Sequence, residues 1–426
     1  MPQEESDAHT RDTTDAVARR SYGKLLAFLS ASSRDVTAAE DALAEAFAAA
    51  LADWPRRGCP SNPEAWLITV ARRKIVDQAR LRRSSAVVAD HLQTIAQGLE
   101  SAAAGGEIPD RRLALLFAAA HPAVEPGIRA PLMLQTVLGF DARMIASAFL
   151  ASPEAMAKRL ARAKTKIKQA GIPFGVPDRD ELPGRLHAVL SAIYAVFAEG
   201  WTDPAGIDLA RRDFTGEALF LARLVAELMP DEPEALGLLA LMLHAEARRP
   251  ARRNAAGEFV PLSEQDTKVW DADMIGEAEA LLHRASTADA FGRYQLEAAL
   301  QSAHVHRCRT GASNWEHVIS LYDALLKISN SPVVMLNRAV AIAEVRGAAA
   351  ALAEIDTLSA DRRMAEYQPY WAARAELLGK MDAYNEARHC YDIAIGLERD
   401  GAVRRFLHRR QAALPVDDAR RHQLKP

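Results

Sequence analysis

Three stretches of this 426-residue chain combine residue types and spacings that could do chemistry. The densest is residues 54 to 83, where Arg56, Arg57, Arg72, Arg73, Lys74, Arg80, Arg82 and Arg83 face only two acids, Glu64 and Asp77. Clustered guanidinium groups offer bidentate donors to phosphates and release counterions from a polyanion. The loop before the helix, Pro55 to Asn62, holds two prolines and a glycine, so it is expected to be irregular. Its Ser61 and Asn62 and its backbone groups could hold an unstacked base.

The second stretch is Asp141 to Lys168. Met156, Leu160, Ala163 and Ile167 follow a helical 4-3-4 spacing and should bury, which leaves Lys158, Arg159, Arg162, Lys164, Lys166 and Lys168 to face outward. No acid follows Glu154 there. Ser152 suits a helix cap with Pro153 at the first helical position, and a short helix precedes it, which makes a helix-turn-helix candidate. The third stretch, Ala39 to Leu51, places Asp41 and Glu45 one turn apart beside a stripe of Leu43, Phe47 and Leu51. An acidic face next to a core face suits docking on a basic partner helix. Each of these charged faces also suits an ordinary solvated surface.

Other chemistry finds little support. His304, His306 and Cys308 are crowded, but neighbours two apart on a helix point to different sides, so they do not share a metal. No nucleophile, metal or phosphate-loop motif accompanies them, so we expect neither an enzyme nor a cofactor. Cys59, Cys308 and Cys390 make no CxxC pair or disulfide framework, which suits a reducing cytoplasm. No apolar run of about 18 residues suggests a membrane span.

These residues need elements to position them. Hydrophobic residues make up 49% of the chain, alanine is abundant, and β-branched and aromatic residues are sparse, which favours an all-α fold. The length implies several cores. Charge is divided unevenly: residues 1 to 177 carry a net +4, and the remainder carries −7. Helical stripes over 15 to 83 form a first module, and residues 84 to 108, rich in Ala, Ser and Gly, read as a flexible linker. Residues 109 to 172 form the second module, with the helix-turn-helix. After a break at 171 to 183, residues 184 to 426 read as a helical domain with a polar loop at about 248 to 265. In it Ala387, Tyr391 and Ala394 stand at the small-aromatic-small spacing of a tetratricopeptide second helix, and Val318, Tyr322 and Leu325 echo it.

Taken together, the motifs resemble extracytoplasmic-function sigma factors of the sigma-70 class. Ala39 to Leu51, then Trp54-Pro, then Gly58-x-Pro-x-Asn-Pro-x-Ala-Trp-Leu-x-x-Val-Ala-Arg-Arg-Lys74 and on to Asp77 are similar to that family's second region. Ile145-Ala-Ser-Ala-Phe149 with Met156-Ala-x-Arg-Leu-x-Arg-Ala-Lys164 is similar to its fourth. The rest resembles a subgroup with a long tetratricopeptide-like extension, through Tyr194 to Gly200, Leu236 to Leu243, Arg248 to Arg252, Tyr294 to Ala299 and Pro332 to Val340. Ala44 and Arg293 depart from the pattern, standing where relatives tend to carry glutamine and proline.

The resemblance implies that the helix with Asp41 and Glu45 docks on core RNA polymerase. It implies that Arg56, Arg57, Ser61, Asn62, Arg72, Arg73, Lys74, Arg80 and Arg83 engage the −10 promoter element, and that Ser152, Glu154, Lys158, Arg159, Arg162 and Lys166 engage the −35 element. The acidic tail would then contact the two DNA-engaging modules or a regulatory protein. A tetratricopeptide-type interaction scaffold that carries a DNA-binding helix-turn-helix is the other reading of the residues.

Overall fold

The computed structural model describes Tyr22, Leu25, Leu26, Phe28, Leu29, Ser33 and residues 36–60, 62–82, 111–138, 140, 142–149, 151–170, 177–201, 209–288 and 291–415. The expected linker at 84–108 lies outside them. The fold is all-α; among the described residues the sole strand-like feature is one isolated bridge, Arg253 to Phe259.

The first module is a hairpin of α1 (Val36–Arg57) and α2 (Pro63–Arg82). Its core joins Leu25, Leu26 and Leu29 to Ala39, Ala42, Leu43, Ala46, Ala50 and Trp54 of α1 and to Leu67 and Ala71 of α2. The small alanines let the helices approach, and Trp54 meets Trp66 edge to face at 5.5 Å. Two expectations need correction here. The irregular segment does not begin at Pro55, because α1 carries that proline inside its last turn and continues through Arg56 and Arg57. A proline this close to the helix end removes one amide donor, and Trp54, 1% exposed, holds the turn in the core. The helix stops instead at Gly58, whose φ of +84° suits glycine and whose N–H donates to Trp54 O at 2.9 Å. Leu51 does not join the buried stripe; it is 47% exposed, while Phe47 is half-buried and stacks on Tyr22.

The second module comprises α3 (Arg111–Ala119), α4 (Pro126–Thr136), α5 (Ala142–Ala148) and α6 (Pro153–Ala170). It shares its compact unit with α7 (Leu182–Trp201) and α8 (Leu209–Leu228). Arg185 of α7, 5% exposed, donates to Phe117 O at 3.2 Å. Phe140 tilts against Phe214 at 4.7 Å, and Arg112 pairs with Glu217 while lying over the Phe220 ring.

The second unit begins at Met229. It contains α9 (Pro233–Ala247), α10 (Ala272–Ser286), α11 (Arg293–Thr310), α12 (Trp315–Ile328), α13 (Pro332–Arg346), α14 (Ala348–Asp356), α15 (Arg362–Ala365), α16 (Gln368–Lys380), α17 (Tyr384–Leu397) and α18 (Gly401–Ala412). α9 packs on both α10 and α11, and α12 to α14 and α16 to α18 pack on their neighbours in chain order. Val318, Tyr322 and Leu325 are buried in one cluster, and Ala387, Tyr391 and Ala394 in another. α9 and α11 approach unusually closely: a Cβ on Gly237 would lie 2.6 Å from the Gln295 nitrogen. Glu234 supports that approach by accepting the Tyr294 and Gln295 N–H groups at the start of α11. The polar loop after α9 is fastened to α18 by the pairs Arg253–Asp400 and Glu258–Arg409 and by Phe259 edge-on to Phe406 at 5.4 Å. No helix among the described residues is long and apolar enough to cross a membrane.

Candidate nucleic-acid interface

In the first module the loop between α1 and α2 is short because both of its ends are capped. Gly58 closes α1, and Asn62 opens α2 by accepting the Ala65 N–H on Oδ1 at 3.0 Å. Arg56 is exposed on the last turn of α1 beside Arg57, whose Nε lies 3.2 Å from Asp53 Oδ1. Two cations there also favour the negative end of the helix dipole. Asn62 is exposed, while Ser61 and Arg83 lie outside the described residues; Arg80 is on α2, but its side chain is not described.

The basic residues of α2 differ in what they touch. Arg72 is half-buried with its guanidinium 4.7 Å from the centre of the Phe28 ring. Arg73 is exposed. Lys74 is exposed and pairs with Glu45 of α1 at 2.9 Å. One ion pair thus joins a residue expected to contact polymerase to one expected to contact DNA. Asp41 is exposed on the same side of α1 as Glu45, and the face continues through Ala44, Ala48, Leu51 and Ala52, all exposed. Reasoning from sequence found the acids and missed this apolar continuation. The signal available was the four-residue ladder from Ala44 to Ala48 to Ala52, offset from the buried ladder Leu43, Ala46 and Ala50.

In the second module α5 and α6 form two helices joined by a tight turn. Ile145 and Ala146 of α5 and Met156, Leu160 and Ile167 of α6 are buried. Ser152 caps α6, with Oγ accepting the Ala155 N–H at 3.3 Å and its carbonyl accepting the Met156 N–H at 3.0 Å. Glu154, Lys158, Arg159, Arg162 and Lys166 are exposed. Two of the cations expected to point outward are bonded within the fold. Arg159 Nη2 donates to Gly127 O of α4 at 3.0 Å. Lys164 is half-buried, and its Nζ donates to both Glu40 oxygens at 2.8 Å. Beside Arg159, a shallow cleft of about 140 Å³ lies between the turn before α4 and α6, with Arg162 and Lys166 on one wall and Glu125 on the other. Among the described residues no group of His, Cys, Asp and Glu could hold a metal ion.

Comparison with known proteins accords with this arrangement. Residues 17–85, which include the α1–α2 hairpin, match Sigma-70 region 2. The chain belongs to the sigma-70 family. Residues 185–286, from α7 to α10, match a family of unknown function, DUF6596, so this sigma-70 protein carries a C-terminal extension. An uncharacterized protein of Rhizobium meliloti (strain 1021) is 38% identical over 391 residues, which are 91% of this chain and 92% of that protein. The two belong to one family along nearly their whole length, extension included. No solved structure matches the chain. The sigma-70 region 2 span assigns the chain a role in transcription initiation, and it contains every described residue of the expected −10 set.

Proposed function

We propose that this chain is a sigma factor of the extracytoplasmic-function type that binds core RNA polymerase and directs initiation at promoters with −10 and −35 elements. The observation that carries the reading is the sigma-70 region 2 hairpin, which presents an acidic and apolar face of α1 on one side and a capped loop with basic residues on the other. In this reading Asp41, Glu45 and Leu51 meet a polymerase helix, because an exposed leucine rimmed by carboxylates suits an amphipathic basic partner. Arg56 and Asn62 lie at the loop and Arg73 on the helix that follows it, where a melted −10 strand would be held by phosphate contacts and stacking. The helix-turn-helix of α5 and α6 enters duplex DNA at the −35 element, with Glu154 and Lys158 near the base edges.

The extension begins as part of this machinery: α7 and α8 complete the unit that holds the helix-turn-helix. The remaining helices form a tetratricopeptide-like array, tethered at high effective concentration to the modules, and regulate them in cis.

Run-off transcription with core polymerase and a promoter library tests the reading. Transcripts with uniform starts that depend on the chain are expected, and Asp41→Lys with Glu45→Lys should weaken retention of core enzyme. If core enzyme is never retained by the wild-type chain, or the start sites are random, the reading fails.

A further inference from the structure

The six cations that α6 shows in sequence are not equivalent. The buried line Met156, Leu160 and Ile167 defines the inward side of the helix. Lys158, Arg162 and Lys166 recur every four residues, starting opposite that line at Lys158 and winding towards Arg159 at Lys166, and all are exposed. Residues four apart are surface neighbours on a helix, so these three make one ridge, headed by Glu154 and about 12 Å long from Lys158 to Lys166. Arg159 and Lys164 flank the buried line, one on each side. Arg159 reaches back 32 residues to the carbonyl of Gly127 at 3.0 Å, and Lys164 reaches Glu40 with both hydrogen bonds at 2.8 Å. A Cβ on Gly127 would sit 3.3 Å from Arg159 Nη2, so the guanidinium lies directly on that turn. The Lys168 side chain is not described.

We infer that the ridge Lys158, Arg162 and Lys166 carries the phosphate contacts of the helix-turn-helix, whereas Arg159 is a positioning residue that fixes the tilt of α6 on α4 and neutralises no phosphate. The inference rests on the DNA reading proposed above and deepens it. Arg159 already has an acceptor within the fold, and leaving it for a phosphate would release the helix from its brace on α4. The ridge residues are exposed and no hydrogen bond from them to the fold is seen among the described residues, so their charges are available to a DNA strand. One wall of the cleft beside Arg159 is formed by Arg162 and Lys166, so the same tether also sets how far these two stand from the turn before α4.

The salt dependence of binding separates the roles, because each neutralised phosphate contributes about 0.9 to the slope of log K against log salt. The full-length chain is titrated onto a short random-sequence DNA duplex across a salt series and followed by anisotropy. Lys158→Ala, Arg162→Ala and Lys166→Ala are each expected to lower the slope by about 0.9. Arg159→Ala is expected to give a line parallel to wild type but displaced to weaker binding at every salt concentration, with helicity retained. Arg159→Gln removes the charge with less loss of packing and should also keep the wild-type slope. Arg159→Lys, which keeps a donor for the Gly127 carbonyl, should recover most of the displacement. A slope lowered by about 0.9 in Arg159→Gln, or unchanged slopes in the three ridge variants, overturns the inference. A displacement that Arg159→Lys does not reduce overturns the positioning role. A wild-type chain whose binding shows no salt dependence overturns the DNA reading itself, which is a different result from either.

Discussion

The two helical modules of the first unit build their cores in different ways. The first is closed by its own residues: every buried side chain of its core comes from positions 25 to 71. The second borrows, because Arg185, Phe214 and Glu217 from the extension reach Phe117, Phe140 and Arg112 of the helix-turn-helix module. A module with its own core can be moved, exchanged or melted alone. One that borrows its core is coupled to whatever the lender does, which gives an extension a physical route to influence the helix α6.

The largest effect that tests this contrast is a pair of truncations. Ending the chain after Pro177 removes α7 and α8, uncovers Phe117 and Phe140, and leaves Arg112 without its carboxylate. Region 2 should stay folded and the helix-turn-helix module should lose its cooperative transition, as read by hydrogen exchange. Ending the chain after Leu228 should keep both. Equal protection of α4 and α6 in the two truncations would erase the distinction.

A single core substitution probes the other side of the comparison. Trp54→Ala empties the centre of the first module and should cost about 3 to 5 kcal/mol there. Among the described residues that core takes no buried side chain from α3 to α8, and the half-buried Lys164–Glu40 pair joins the modules at their rim, so protection of α4 and α6 should fall far less than that of α1 and α2. Matching losses in both modules would show that the first is not self-contained.

How much of this was legible in the sequence depends on the range of the interaction. The buried spacing of Met156, Leu160 and Ile167, the Ser152 cap and the Tyr391 and Tyr322 repeats were readable because helix periodicity and capping act within a turn or two. Arg159 is exposed as its spacing implies, but nothing within a helical turn announces the partners of Arg159 and Lys164, Gly127 and Glu40, which lie 32 and 124 residues away. Leu51 misled for the opposite reason. It completes an apolar triplet with Leu43 and Phe47, but eight residues of helix overshoot two turns, so the triplet drifts around the axis and its last member leaves the core. Pro55 suggests a break in the sequence, whereas its position in the final turn makes it tolerable.

Two histidines shifted by burial tie the stability of the second unit to pH. Burial pushes His244 down to about 4, with Arg248 adding to the effect, and His304 down to about 4, with Arg307 and Arg248 adding. His244 is therefore neutral near pH 7, and its approach to Glu279 at 3.5 Å is not an ion pair there. Both folded values lie below the unfolded value of about 6.5, so the unfolded chain binds protons first on acidification. Stability from these sites is complete above about pH 6.5 and is lost as pH falls towards 4, by an amount on the order of 3 kcal/mol for His244. Thermal scans of the full chain should show the transition of the second unit falling between those values while the Trp54 core holds, and His244→Gln should flatten the fall. A pH-independent transition of the second unit would remove the contrast.

The smallest effect concerns the pair Lys74 and Glu45, which sets the two basic helices against each other. On α2 the cations are partly spent inside the module: Arg72 lies on Phe28, and Lys74 lies 2.9 Å from Glu45. On α6 a ridge of three is left facing solvent. Both partners of the Lys74 pair are nearly half exposed, at 47% and 46%, so the pair itself should contribute well under about 1 kcal/mol to stability. Glu45→Gln should therefore leave the unfolding temperature almost unchanged. It should nevertheless alter nucleic-acid binding, because it releases Lys74 beside the exposed Arg73 and adds one cation to the α2 side. The slope of log K against log salt for a single-stranded probe should steepen by about 0.7, the value for one added phosphate contact on a single strand. The corresponding slope for a duplex probe, carried by the α6 ridge, should not change. A steeper duplex slope with an unchanged single-strand slope would mean that α2 faces duplex DNA, and the division of labour between the two helices would have to be redrawn.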